Sequence, residues 1–120
     1  MEKQLKEIAQ TLKYRLAAEY TARYQKIVMA LPPKILYHKE PLSNKEWQDS
    51  QVTSVLHAYV DLCAEELRMH RSGQIPDDVW ESWREGILAG FRLPAVRGLW
   101  EHYYQGGPYT DLRKFLDEAR

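Results

Sequence analysis

The first thirty residues carry large apolar side chains at intervals of three and four positions. The members of this stripe are Leu5, Ile8, Leu12, Leu16, Tyr20, Tyr24, Ile27 and Leu31. Because an α-helix turns about every 3.6 residues, this spacing places the whole stripe on one side of a helix. Pro32 and Pro33 end it, since proline lacks an N–H and restricts the residue before it. We expect one long helix over residues 1–31, in which about 29 helical residues would span about 43 Å at ~1.5 Å per residue.

The second helix is marked at both ends. Ser43, followed three residues later by Glu46, is the pattern of a capping box, in which each residue satisfies a backbone N–H of the other. The apolar period then continues to about Ser72, and Gly73 supplies the residue type that commonly ends a helix. The sequence therefore predicts a single helix between these points.

Three shorter helices follow. The carboxylates of Asp77 and Asp78 suit a helix N-terminus, where they lie near the positive end of the backbone dipole. Pro94 fits the first turn of the next helix. Thr110 is expected to cap the last one.

These signals predict an all-α fold, an irregular bundle of about five helices built as one domain. Its parts are a long helix over residues 1–31, a connection over 32–42 and a helical core over 43–120. Gly86 and Gly90 lie about one turn apart on the third helix, so one face of that helix lacks side chains. Another helix should approach closely there.

The composition is that of a folded, soluble protein, with 44% hydrophobic and 28% charged residues, which excludes the disordered class. The single cysteine, Cys63, cannot form an internal disulfide and fits a reducing compartment. Glu2 and Lys3 do not fit the start of a signal peptide. No apolar run reaches the ~18 residues that a membrane span needs. We expect a cytoplasmic protein.

Positive charge is concentrated at the start of the chain, although the net charge is zero. Residues 1–39 hold eight Lys and Arg against three Glu, a net charge of +5, and the remainder balances it with −5. The basic face of the first helix is Lys13, Arg15, Arg23 and Lys26. It would contact the acidic part of its own fold, a second copy, an acidic partner or at most a membrane surface. Nucleic acid is disfavoured as a partner, because domains that bind it usually have a pI above about 9.

The tryptophans are the most visible candidate for a binding site. Trp80 and Trp83 lie three residues apart, Trp100 lies on the next helix, and Arg84 and Arg97 could stack on exposed rings. One interpretation is ordinary core. The alternatives are a partner hot spot, or an aromatic cleft between these two helices that holds a small molecule or a lipid.

No catalytic or metal-binding arrangement is recognisable. Glu66 and His70 are one turn apart and Cys63 lies one turn before Glu66, but zinc and di-iron sites need more ligands in recognisable spacing. Cys63 lies on an apolar stripe, which favours an inert thiol over a nucleophile. We expect no enzyme activity, no cofactor and no metal.

A pattern of glycine, proline and aromatic positions runs through residues 47–116. Its parts are the turn Gly73-Gln74-Ile75-Pro76-Asp77, the pair Trp80 and Trp83, Gly86-Ile87, Pro94, Trp100 and Phe115-Leu116. In this pattern the chain resembles a broad family of small, uncharacterised bacterial helical proteins. The resemblance implies the same helical fold and no agreed biochemical function. Many members carry a membrane helix ahead of this unit, whereas this chain has Lys13, Arg15, Glu19 and Arg23 there.

The favoured hypothesis is a non-enzymatic interaction or scaffolding module that self-associates as a homodimer. The first helix has a longer apolar stripe than a small bundle needs, which leaves part of it for a second copy. The alternatives are a regulator that binds a small molecule or lipid in an aromatic cleft, and contact of the basic helix with a membrane surface or nucleic acid.

Overall fold

A computed structural model of the chain describes residues 1–33, 35, 41–104, 107 and 109–119, which form six helices and no strand. The helices are α1 (Glu2–Ala30), α2 (Asn44–Gln48), α3 (Ser50–Arg71), α4 (Asp77–Gly90), α5 (Pro94–Tyr103) and α6 (Thr110–Glu118). The predicted all-α class and the long N-terminal helix are confirmed. One more helix than expected is present, because the predicted second helix is divided.

The prediction of one continuous helix from Ser43 to Ser72 is wrong at Asp49. This residue is extended, with φ −79° and ψ 105°, and it separates α2 from α3. Its N–H ends α2 by donating to the carbonyl of Glu46 at 3.1 Å, and its side chain begins α3 by accepting from the N–H of Gln51 at 3.0 Å. Aspartate competes for backbone N–H groups in this way, so a residue with helical spacing acts as a boundary. The capping box at Ser43 is present as predicted.

The end of α3 follows the sequence signal. Gly73 has a φ of 76°, the left-handed conformation that glycine adopts without steric cost. Its N–H donates to the carbonyl of His70 and the N–H of Gln74 donates to that of Met69, both at 3.0 Å. These two bonds form a Schellman motif, which satisfies carbonyls that the helix itself leaves unpaired.

In the predicted connection over residues 32–42, Pro33 and Ile35 are helical and Ile35 is buried. Residues 34 and 36–40 lie outside the described part of the chain. Thr110 is the first residue of α6 rather than its cap, and Tyr109 precedes it without a side-chain capping bond.

Helix α3 is the centre of the fold, since it packs against each of the other described helices. Its buried side chains recur every few residues along its length: Val52, Leu56, Tyr59, Val60, Leu62, Cys63, Glu66 and Leu67. All but one are apolar, aromatic or thiol side chains. The exception is the carboxylate of Glu66, which is 4% exposed.

Helix α1 packs over only part of its length. Residues 1–12, here called the projecting segment, are all exposed. Contact with the other helices begins near Tyr14, whose hydroxyl donates to the carboxylate of Asp78 at 3.1 Å, and Ala17 and Tyr20 are buried. The molecule measures 60 × 28 × 21 Å, with a radius of gyration of 16.1 Å. A compact domain of this length would have a radius of about 14 Å, so the projecting segment extends beyond the bundle.

Candidate functional site

The projecting segment presents a strip of large apolar side chains. Leu5, Ile8 and Leu12 are 59%, 57% and 57% exposed. They belong to the stripe predicted from the sequence, whose later member Tyr20 is buried against the bundle. Most of the stability of a protein helix comes from packing of its apolar face, and this part of α1 has none from the described residues. The strip therefore has the character of a surface that a partner would cover.

The side chains around this strip on the helix surface are mixed in character. Its neighbours on the helix surface include the uncharged Gln4, Ala9 and Thr11, with Glu2, Glu7 and Arg15 at its edges. Lys3 and Lys6 lie on the opposite side of the helix, because of their positions in the 3.6-residue repeat. Counting side chains, Glu2 and Glu7 balance Lys3 and Lys6 within the segment.

The four residues of the basic face lie beyond this strip along α1. Lys13 is half-buried, and Arg15 and Lys26 are exposed. Arg23 forms an ion pair with Glu65 of α3 at 2.7 Å, and its guanidinium carbon lies 5.1 Å from the centre of the Tyr20 ring. Part of the positive charge of α1 is thus neutralised within the same chain.

Trp80 and Trp83 face different neighbours. Trp80 is buried, stacks on His70 with ring centres 4.1 Å apart and planes 5° apart, and lies 5.9 Å from Phe115. Trp83 is half-buried, and its ring centre lies 5.9 Å from that of Tyr20 on α1. Trp80 therefore belongs to the core between α3, α4 and α6, whereas Trp83 packs towards α1.

Trp100 borders a cavity of about 380 Å³ between the end of α4, α5 and α6, and Arg97 lines the same cavity. Arg97 is bound to Glu101 at 3.1 Å, and Arg84 makes no ion pair or hydrogen bond with a described residue. The cation that lies over the Trp100 ring is Arg113, at 5.8 Å. The sequence indicated a cation over a tryptophan here, but the structure supplies it from α6.

A second cavity, of about 300 Å³, lies between α1, α3 and α4, and is here called the Glu66 cavity. Its walls include Tyr24, Tyr59, Trp83 and Ile87, and Glu66 contributes a carboxyl group. Gly86 also lines it, and no atom lies within 4 Å of the position that a Cβ would take there. The missing side chain of Gly86 therefore leaves part of this space open.

The carboxyl of Glu66 receives no hydrogen bond from a described residue. Burial raises its pKa to about 8, Arg23 opposes that shift and the neighbouring Glu65 adds to it. At neutral pH the group is mainly protonated, because losing the proton would leave a buried charge. Arg23 does not supply a hydrogen bond to this carboxyl, because its guanidinium donates to Glu65 instead.

The sequence grouping of Cys63, Glu66 and His70 is not assembled into one site. Cys63 and Glu66 line the Glu66 cavity, while His70 stacks on Trp80. Burial raises the pKa of the Cys63 thiol, with the Glu66 charge adding to the shift, so the thiol stays protonated. Within the described ranges, no cluster of three or more ligand-type side chains could hold a metal ion.

Glu66 was considered from the sequence only as a metal ligand, and its place in a cavity was missed. The signal was present, because Glu66 falls three residues after Cys63 on the apolar period of α3. A carboxylate at a core position implies burial, and burial of an ionisable group indicates a functional candidate.

Comparison with known proteins gives no relative for this chain. No family model matches it, no curated protein is significantly similar to it, and no solved structure matches its fold. The resemblance based on the tryptophan and glycine pattern therefore stays a prediction.

Proposed function

We propose that this chain is a non-enzymatic interaction module that pairs with a second copy of itself through the projecting segment. The observation that supports this is the strip of Leu5, Ile8 and Leu12, each more than half exposed on a helix that no described part of the chain covers. Contiguous exposed apolar surface of this kind typically marks an interaction site. Burying it stabilises a complex by roughly 25 cal/mol per Å².

The spacing of the strip favours an antiparallel pair. Leu5, Ile8 and Leu12 fit the alternating three- and four-residue steps of a helix-pairing seam, and Arg15 occupies the next position of that seam. A parallel pair would bring Arg15 against Arg15 of the second copy, which like-charge repulsion disfavours. In an antiparallel pair confined to residues 1–12, Leu5 faces Ile8 of the second copy, and Arg15 lies beyond the end.

The pair should be reversible. Twelve residues of helix span about 18 Å, and two such segments bury less than the ~1,200 Å² of a standard stable interface. The equal numbers of acidic and basic side chains in the segment remove net repulsion between copies. We expect a monomer–dimer equilibrium that depends on concentration.

Sedimentation equilibrium from about 10 µM to about 1 mM tests the proposal. The wild-type chain should shift from monomer to dimer across this range. Ile8→Lys should stay monomeric, because it places a charge in the seam, whereas Gln10→Lys adds the same charge on the opposite side and should still dimerise. A wild-type chain that remains monomeric at the highest concentration overturns the proposal.

Other partners for α1 would give a different set of results. Among the helices of the described residues, none combines the length and hydropathy needed to cross a bilayer. Glu7 and Glu19 also lie among the basic residues of α1, which weakens attraction to anionic lipids or phosphates. A monomeric chain that binds anionic vesicles, or nucleic acid, through Arg15 and Lys26 would replace self-association with one of those functions.

We place the module in the cytoplasm, where its one cysteine would stay reduced.

A further inference from the structure

We propose that the Glu66 cavity binds a small, free alkylammonium ion, with the charged nitrogen at the Glu66 carboxyl and the apolar body against the aromatic walls. The cavity involves the second half of α1 together with α3 and α4. It is separate from the projecting segment, so this inference does not depend on self-association.

The carboxyl of Glu66 is the reason to expect a ligand with N–H donors. The Glu66 residue is only 4% exposed, and no described residue donates a hydrogen bond to its carboxyl. The carboxyl oxygens keep some solvent access at the cavity, because no fully buried side-chain oxygen or nitrogen of the described residues lacks a partner. A largely buried carboxyl still needs hydrogen-bond donors, which only water or a ligand in the cavity could supply here. An ammonium ion in the cavity supplies such donors, and its positive charge lowers the pKa of Glu66, so the carboxyl loses its proton on binding and accepts strong, charge-assisted bonds.

The local charge balance favours a cation over a neutral donor. Two carboxylates, Glu65 and Glu66, stand near one guanidinium, that of Arg23, which is bound to Glu65 at 2.7 Å. The other titratable groups that line the cavity are Tyr24 on α1 and Tyr59 and Cys63 on α3, and α4 contributes no charged side chain to it. One bound positive charge would therefore neutralise the ionised site.

The walls suit the rest of such a ligand. Tyr24, Tyr59 and Trp83 line the cavity, and aromatic rings attract organic cations through their negative faces. A volume of about 300 Å³ is at the lower end for small-molecule sites, so it fits an amine with a body of about four to six carbon atoms. Gly86 keeps this space open, because its position carries no side chain.

The binding test uses n-butylammonium, with n-butanol as a neutral probe of similar shape, titrated into the full chain by calorimetry. Butylammonium should bind the wild-type chain at least about tenfold more tightly than butanol. Glu66→Gln should weaken butylammonium binding by about tenfold or more. Glu101→Gln removes an exposed carboxylate outside the cavity and should leave it unchanged.

A second variant keeps the test independent of any effect of Glu66→Gln on folding. Gly86→Leu fills the cavity from an exposed helix position where nothing lies within 4 Å of the new Cβ. It should stay folded and lose butylammonium binding. Absence of wild-type binding, equal binding of butanol, or unchanged binding by folded Glu66→Gln overturns the inference. Equal binding of Nα-acetyl-lysine amide would assign the cavity to a lysine side chain of another protein and overturn the free-ligand assignment.

Discussion

The hydroxyl end of the Tyr59 ring on α3 lies against the backbone of Gly90 at the end of α4. A Cβ at position 90 would come 2.8 Å from the Cζ of Tyr59 and would overlap its hydroxyl oxygen. The contact between α3 and α4 at this point therefore requires a residue without a side chain. Tyr59 also borders the Glu66 cavity, so the same contact fixes one wall of that cavity.

Gly90→Ala should destabilise the fold by about 1–3 kcal/mol, because the new methyl group forces Tyr59 to move. This loss should outweigh the gain of up to about 1 kcal/mol that alanine brings to a helix. Urea denaturation measures it. Gly86→Ala is the matched control and should be neutral or stabilising, since its Cβ would meet no atom within 4 Å.

A second substitution checks the cause of that loss. Tyr59→Phe removes the hydroxyl that a Cβ at position 90 would overlap. It should therefore lower the free energy of unfolding less in the Gly90→Ala background than in the wild type. A Gly90→Ala variant as stable as the wild type would contradict the close approach of Tyr59.

The sequence predicted much of this fold because its signals are local. The period of the α1 stripe, the capping box at Ser43 and the stop at Gly73 each depend on a few neighbouring residues, and each is found in the structure. The spacing of Gly86 and Gly90 predicted one close approach, and it occurs at Gly90. The break at Asp49 was missed because the apolar period continues through it, while the competing side-chain cap is a weaker signal.

The candidate sites depend on contacts between distant parts of the chain, and these were harder to predict. The tryptophan pattern gave Trp80 and Trp83 one shared face, but their neighbours come from different helices. That Glu66 and Trp83 line one cavity depends on how α3 and α4 pack, which helical periodicity does not specify. Likewise, the stripe of α1 showed which residues share a face, but not that Leu12 would be left uncovered.

The buried carboxyl of Glu66 should make stability depend on pH. Its pKa is about 8 in the folded chain against an ordinary value of 4.5, so the folded state holds the proton over this interval and the unfolded state does not. Stability from this group is full below pH 4.5 and is lost as pH rises towards 8, by roughly 1.4 kcal/mol per pH unit at most. Arg23 reduces this effect and Glu65 increases it.

Urea denaturation of wild type and Glu66→Gln at about pH 5 and about pH 8 measures this loss. The wild-type chain should lose stability between the two values relative to the glutamine variant, because glutamine does not titrate. Titration of the other groups is common to both proteins and cancels in the comparison. Parallel pH profiles for the two proteins would contradict the burial of this carboxyl.

The ion pair between Arg23 and Glu65 should contribute little to stability. The two side chains are 49% and 36% exposed, and exposed pairs typically contribute about 0–1 kcal/mol. A double-mutant cycle with Arg23→Met and Glu65→Gln measures the coupling, which salt should weaken. The pair of Arg97 and Glu101, with side chains 66% and 52% exposed, is the control and should couple no more strongly.

Substitution of Arg23 should change the pKa of Glu66 more clearly than it changes the overall stability of the fold. The positive charge of Arg23 lowers the pKa of that carboxyl, so Arg23→Met should raise the pKa further. The fall in stability, which begins near pH 4.5 in both proteins, should then extend to higher pH in the variant. The pH profile of Arg23→Met against wild type reports this shift. A fall at lower pH would show that Arg23 does not act on Glu66 through its charge.

The direction of helix pairing can be tested with single cysteines. In the antiparallel arrangement, position 5 faces position 8 of the second copy, whereas the two copies of position 12 lie about 16 Å apart, from the rise of ~1.5 Å per residue. A disulfide needs Cα atoms within about 7 Å. A mixture of Leu5→Cys and Ile8→Cys should therefore cross-link faster under mild oxidation than either protein alone, and Leu12→Cys should not cross-link to itself. The native Cys63 is buried and gives a low background, which the unmodified chain measures. Rapid self-linking of Leu12→Cys would show a parallel pair, with Arg15 repulsion too weak to set the direction.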